Sequence, residues 1–364
     1  MPRVTWHTAR PGRAVVPVAL LLGIALGGCE RRGGGGADSA AGPRADAREA
    51  VAYTSVDQVF SEPVFRAFQD STGVRVRGVY DTEETKSTGV LNRLIAEANS
   101  PQADVFWSGD PARVFVLLKR GLVEPYRSPN AAGIPAQFRG ADGSWTGVAA
   151  RARVLLVDTT KVPAAARPTS IRDLAAPRWK GRTAIANPLF GTTTMHVAAL
   201  FTAWGDDSAR AFLDRLKANG VRVASSNGEV RRLVASGEVA FGLTDTDDAN
   251  EAMKGGAPVA VVYPDQQGMG TLVMPTVVVL MKGAPHPEAG RRLVDYLVSA
   301  AVERRMAASA AHMPLGVPLG ADAARAAPAL RSVEQVRAMD VDYARVAETM
   351  ERIQPWLREW VGLQ

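Results

Sequence analysis

From residue 50 onward, short β-branched runs alternate with amphipathic helical segments, and this alternation confines the chain to an α/β architecture. Residues 50–54, 74–80 and 104–107 read as strands, and 60–70, 88–99 and 111–120 as helices. A strand at 154–157 and a Pro-rich turn region at 162–168 follow. A second set then begins, with strands at 183–186, 221–224, 239–243 and 259–263 and helices at 192–204, 208–219, 229–236 and 247–254. The apolar stretch 273–281 is a further strand interrupted by Pro275, 287–308 is strongly helical, and a last helix lies within 333–361. No repeat of fixed period is present. The pattern predicts two lobes, each a sheet flanked by helices, with residues 49–150 plus about 274–364 in the first and about 151–273 in the second.

Two such lobes joined by extended crossovers leave a cleft lined by strand ends and helix starts, where ligands of α/β folds bind. The residues at those junctions are small, polar and oxygen-rich: Ser108, Asn187, Thr192 to Thr194, Ser226 to Gly228, and Thr244 to Asp248.

The chain carries one cysteine, Cys29, so neither an intrachain disulfide nor a cysteine-based zinc site is available. Arg3, Arg10 and Arg13 precede an apolar run at 15–26, which leads into Leu26-Gly27-Gly28-Cys29. That run is shorter than the roughly 20 residues a bilayer-crossing helix needs, and the whole reads as a secretory signal with a lipobox. Residues 1–28 are therefore expected to be removed, with Cys29 lipidated and residues 29–48 serving as a flexible Gly/Ala-rich tether. The expected place is extracytoplasmic, held to the membrane by the lipid alone. Glu30, rather than Asp, follows the cysteine and leaves open which membrane carries the anchor.

Half of the formal net charge of +6 sits on the three leader arginines, and no basic run interleaved with aromatics follows, so nucleic acid is not an expected partner. No G-x-S-x-G, H-E-x-x-H, P-loop or G-x-G-x-x-G occurs, so the chain is not read as an enzyme and no catalytic cofactor is expected.

Taken in order and spacing, a series of segments resembles the ferric-iron-type periplasmic solute-binding proteins of ABC importers. They include Val51-Ala52-Tyr53-Thr54-Ser55, Gln102-Ala103-Asp104-Val105-Phe106-Trp107, Gly143-Ser144-Trp145-Thr146-Gly147 and Ala150-Arg151-Ala152-Arg153-Val154. Further on come Arg178-Trp179-Lys180-Gly181, Ala186-Asn187-Pro188, Gly283-Ala284-Pro285-His286-Pro287 and Leu293-Val294-Asp295-Tyr296-Leu297, so that the likeness covers most of 49–312. The resemblance implies a two-lobe, type II-like periplasmic-binding-protein fold in a monomer. It also implies a small ligand in the cleft, iron(III) with a synergistic anion as cargo, and a permease with its ATPase as partners. The family's iron-binding members carry an adjacent tyrosine pair after the strand that matches 239–243; here that place reads Gly242-Leu243-Thr244-Asp245-Thr246-Asp247-Asp248. A site of paired phenolates is therefore not expected.

Two chemistries stay open at the cleft. Asp245, Asp247 and Asp248, with Glu83 across the cleft, offer the hard oxygens a cation takes, or they cap a helix start. Asn187, Thr192, Thr193 and Asn227 offer hydroxyl, amide and backbone N–H groups for an anion such as a phosphonate or organic phosphate, and Arg151 could add charge-assisted bonds. Strand alternation puts Arg151 and Arg153 on one face. By the resemblance, Tyr53 and Ser55 lie in a binding loop, and Ser108 stands at another of the strand-to-helix junctions that line the cleft. A chelated metal with its anion would use both sets. A chemosensory receptor built on the same fold is the alternative to transport. His196, His286 and His312 are far apart and match no metal-ligand spacing.

Overall fold

The computed structural model describes residues 48–81 and 89–362. The expectations for the leader, Cys29, the tether and Glu83 fall outside those residues. No helix among the described residues is long and apolar enough to cross a membrane.

The first part of the chain builds β1 (Glu49–Thr54), α1 (Gln58–Thr72), β2 (Arg75–Tyr80), α2 (Gly89–Ala96), β3 (Val105–Ser108), α3 (Pro111–Lys119) and the short β4 (Val123–Glu124). Strands β2, β1 and β3 lie side by side and parallel, an arrangement that requires the β-α-β crossovers through α1 and α2. Then comes β5 (Thr146–Asp158), thirteen residues long, of which only the apolar 154–157 was legible as strand. Gly147, Arg151 and Arg153 break its apolar pattern, although every residue from Thr146 to Asp158 except Arg151 is buried.

The middle of the chain forms β6 (Thr183–Ala186), α4 (Gly191–Trp204), α5 (Asp206–Ala218), β7 (Arg222–Ala224), α6 (Asn227–Ala235), β8 (Phe241–Asp245), α7 (Thr246–Lys254) and β9 (Val259–Val262). Strands β8, β6 and β7 are again parallel. The chain returns through β10 (Val273–Met281) to α8 (Pro287–Leu297), α9 (Ala300–Ala310), α10 (Ala321–Ala326) and α11 (Tyr343–Val361). The continuous helix expected at 287–308 is two helices, because the Ser299 hydroxyl caps a new start by accepting from the Val302 N–H. The last helix begins at Tyr343, where the Asp342 carboxylate accepts from the Ala344 and Arg345 N–H groups.

The strand order is β2-β1-β3-β10-β5-β8-β6-β7, with β4 on β10 and β9 on β5. Two parallel α/β units are thus joined through the antiparallel pair β5 and β10. The first half of β5 pairs with β10, Val273 opposite Ala152, and its second half pairs with β8 and β9, Asp245 opposite Arg153. Arg151 and Arg153 therefore stand where β5 passes from one sheet to the other. Helix α11 packs on both α3 and α4, with Tyr343 stacked near Phe115 on one side and Trp356 against Phe201 on the other.

Candidate functional site

Three chain segments meet on the guanidinium of Arg153, which is fully buried. Nη1 donates to Asp245 Oδ1 at 2.7 Å, to Asn227 Oδ1 at 3.0 Å and to Thr192 Oγ1 at 3.1 Å, and Nη2 donates to Thr193 Oγ1 at 3.1 Å. The second carboxylate oxygen of Asp245 accepts from Thr192 Oγ1 at 2.8 Å and Asn227 Nδ2 at 3.2 Å. The β6–α4, β7–α6 and β8–α7 junctions are thereby tied to β5. Burial alone would raise the Asp245 pKa, but Arg153 and Arg151 outweigh it and hold the carboxyl below its usual range.

Arg151 stands on the same face of β5, as alternation requires, and looks outward. Its Nη1 lies 3.6 Å from both Asp245 Oδ2 and Asp247 Oδ2, and its Nη2 donates to the Gly109 carbonyl at 3.0 Å. Gly109 directly follows β3, where its N–H donates to Ser55 Oγ at 3.0 Å, and Ser55 and Ser108 hydroxyls lie 3.4 Å apart. The structure thus brings Ser55, Ser108, Arg151, Thr192, Thr193, Asn227, Asp245 and Asp247 into one connected network.

The carboxylates of Asp245, Asp247 and Asp248 present oxygens within 4.8 Å of one another. Asp247 and Asp248 are less completely paired than Asp245. Asp248 accepts from Thr244 Oγ1 at 3.3 Å and has Arg231 at 3.8 Å. Burial, then Asp247 and Asp245, push the Asp248 pKa up to about 7, and burial raises that of Asp247. Of the three acids, the two on α7 make the longer contacts, Asp247 Oδ1 accepting from the Asp248 N–H at 3.1 Å.

Two expected residues are not brought here. The Tyr53 hydroxyl donates to Glu97 at 2.9 Å beneath Arg93, within the apolar cluster behind β1 and β3. Asn187 caps its own turn, accepting from the Leu189 N–H at 3.0 Å. The hydroxyls of Thr192 and Thr193 are spent on Arg153 and Asp245 rather than held open as a cradle. Trp107 is a core residue whose Nε1 donates to Thr276, and Trp145 packs edge-on against Phe115 and Tyr343.

Two histidines that no spacing rule connects stand close by. His196 on α4 and His312 after α9 are buried, and both feel the site's charges. Burial first, then Arg153 for His196 and Arg151 for His312, lower each pKa to about 3. His196 also lines a small apolar cavity of about 20 Å³ among Ile185, Leu200 and Leu243.

A fold of two α/β lobes joined by a crossing strand pair, with an ionised network at the junction, is that of a solute-binding protein. Residues 100–346 match the family described as bacterial extracellular solute-binding protein. The chain belongs to that family. It is 31% identical over 280 residues to the iron uptake protein A1 of Synechocystis sp., covering 73% of this chain and 76% of that one. It is 25% identical over 309 residues to a Salmonella typhimurium periplasmic protein provisionally named for 2-aminoethylphosphonate binding, covering 84% and 83%. Among solved structures, iron-bound HitA from Pseudomonas aeruginosa superposes with a TM-score of 0.73 at 25% identity, covering 86% of this chain and 99% of that one.

Proposed function

We propose that this chain is the solute-capture component of a bacterial ABC importer and that its cargo is iron(III) taken with a companion anion. The observation that carries this is the pairing of opposite chemistries at one spot: the Asp247 and Asp248 carboxylates, with oxygens within 4.8 Å of Asp245, beside an Arg151 that reaches both lobes. Carboxylate oxygens suit a hard trivalent ion, and by the resemblance in sequence Asp245 to Asp248 fall in the stretch where the family's iron-binding members carry their tyrosine pair. The Arg151 guanidinium would take the anion. Asp245 is a positioning group in this reading, its charge already balanced by Arg153. The iron named in the Synechocystis relative supports the cargo.

The lobes exchange at about residues 150 and 273, and closure of the lobes over the cargo presents the complex to a permease driven by its ATPase. The protein binds and releases without chemistry. It acts outside the cytoplasm as a monomer, tethered by a lipid on Cys29. A phosphonate or organic phosphate is the second reading, favoured by the buried Arg151 Nε–H that has no partner and by the name of the Salmonella relative. A thermal-shift comparison separates the two. Ferric citrate should raise the melting temperature of the wild type and not of Asp247→Asn; a shift with 2-aminoethylphosphonate alone would make the second reading the correct one.

A further inference from the structure

We propose that His312 is a specificity-determining residue of this site, its imidazole taking an oxygen of the oxyanion that accompanies the metal, beside the Arg151 guanidinium. The proposal rests on the capture of a ferric complex inferred above.

Ala150 and Met313 exchange both backbone hydrogen bonds, N–H to carbonyl at 2.9 and 2.6 Å, as an antiparallel pair. Arg151 and His312 come next on either side of this isolated bridge, and the His312 N–H turns back to the end of α9, donating to the Met306 carbonyl at 3.2 Å. Successive N–H groups of a strand point to opposite edges. Those of Ala150 and Ala152 go to Met313 and to Thr246 Oγ1, while that of Arg153 goes to Leu272 on the other edge. His312 and the β8–α7 junction therefore flank the same edge of β5, and His312 feels the charges of Arg151 and Asp245.

The segment is built into place. The buried Glu303 carboxylate accepts from the Leu315 and Gly316 N–H groups at 2.7 and 2.8 Å, fixing the loop behind His312. His312 is only 4% exposed, and its Nδ1 has no hydrogen-bond partner; the neighbouring Arg151 Nε has none either. Buried nitrogens left in this state are costly, and a ligand oxygen that meets both removes the cost. The neutral imidazole can accept a hydrogen bond that a hydroxyl donates, while the guanidinium donates to a charged oxygen. The unpartnered Arg151 Nε–H can only donate, so the partner shared with His312 is the anion's oxygen rather than the metal. A hydroxycarboxylate, or another oxyanion carrying a hydroxyl, has the required pair of groups.

The test is calorimetric titration of the full chain with ferric citrate and, separately, with inorganic phosphate, in wild type, His312→Phe and His312→Asn, with ligand-free melting temperatures as a fold control. Phe keeps the ring volume without nitrogen, and Asn keeps a polar atom near the Nδ1 position. His312→Phe should weaken ferric citrate at least tenfold while His312→Asn stays within about threefold and all three melt alike. Equal affinities in all three proteins, or equal losses in both variants, would overturn the assignment. A wild type that takes phosphate but not ferric citrate would remove the iron reading, and the Phe–Asn contrast with phosphate would still decide the role of His312. A wild type that takes neither overturns both.

Discussion

Arg153 donates to Asp245 at 2.7 Å with their side chains 0% and 2% exposed, so that each charge is the other's main compensation for leaving water. Removing one partner strands a buried charge. Arg153→Met is expected to cost about 3–5 kcal/mol, and adding Asp245→Leu to recover most of it, because a well-packed apolar pair can match a buried ion pair. Urea unfolding of the two variants against wild type checks this. A single variant as stable as wild type would mean the pair is not the structural tie described.

Gly242 on β8 lies tightly between α6 and the backbone of β6. A Cβ there would meet the Val230 side chain at 2.5 Å and the Ala184 carbonyl at 3.0 Å. Gly242→Ala should therefore destabilise by about 1–3 kcal/mol. It should also weaken cargo binding, since α6 carries Asn227 at its start. Denaturant midpoints and ferric citrate affinities measured together test the coupling.

His196 should make the fold acid-sensitive. Its pKa is about 3 in the folded chain against 6.5 in the open one, so the unfolded state binds the proton first. Stability attributable to it is full above pH 6.5 and is lost as pH falls toward 3. Asp248, raised to about 7, runs the other way, its contribution falling as pH rises between about 4 and 7, and it cancels when wild type is compared with His196→Gln. The variant should show a shallower loss of stability from pH 6.5 to 4 by thermal unfolding; parallel curves would refute the assignment.

Tyr343 ties the first turn of α11 to the crossover strand, its hydroxyl donating to the Val273 carbonyl at 2.8 Å. Tyr343→Phe should cost about 1 kcal/mol in equilibrium unfolding. Leu357→Ala, a fully buried position on the same helix, should cost about 2–5 kcal/mol.

Local signals carried the reading of the sequence wherever they matched what packing demanded. Strand β6 has the bounds its apolar run predicts, and Arg151 and Arg153 share a face by alternation alone. The length of β5 was hidden because its two arginines look like surface residues until their partners, some 40 to 90 positions away, are in view. The same distance concealed that Asp245 is already neutralised and that Thr192 is engaged. His312 carried no spacing signal because it is brought near Arg151 by one isolated bridge, Ala150 with Met313, between segments far apart in the chain.

The central claim is that the acids of α7 hold a ferric ion beside Arg151. Equilibrium dialysis of wild type and the Asp247→Asn/Asp248→Asn double variant against ferric citrate, followed by iron analysis, tests it most directly. About one iron retained per wild-type chain and little in the variant is the expected result. Equal retention by both, or none by wild type under conditions where 2-aminoethylphosphonate is bound, would contradict it.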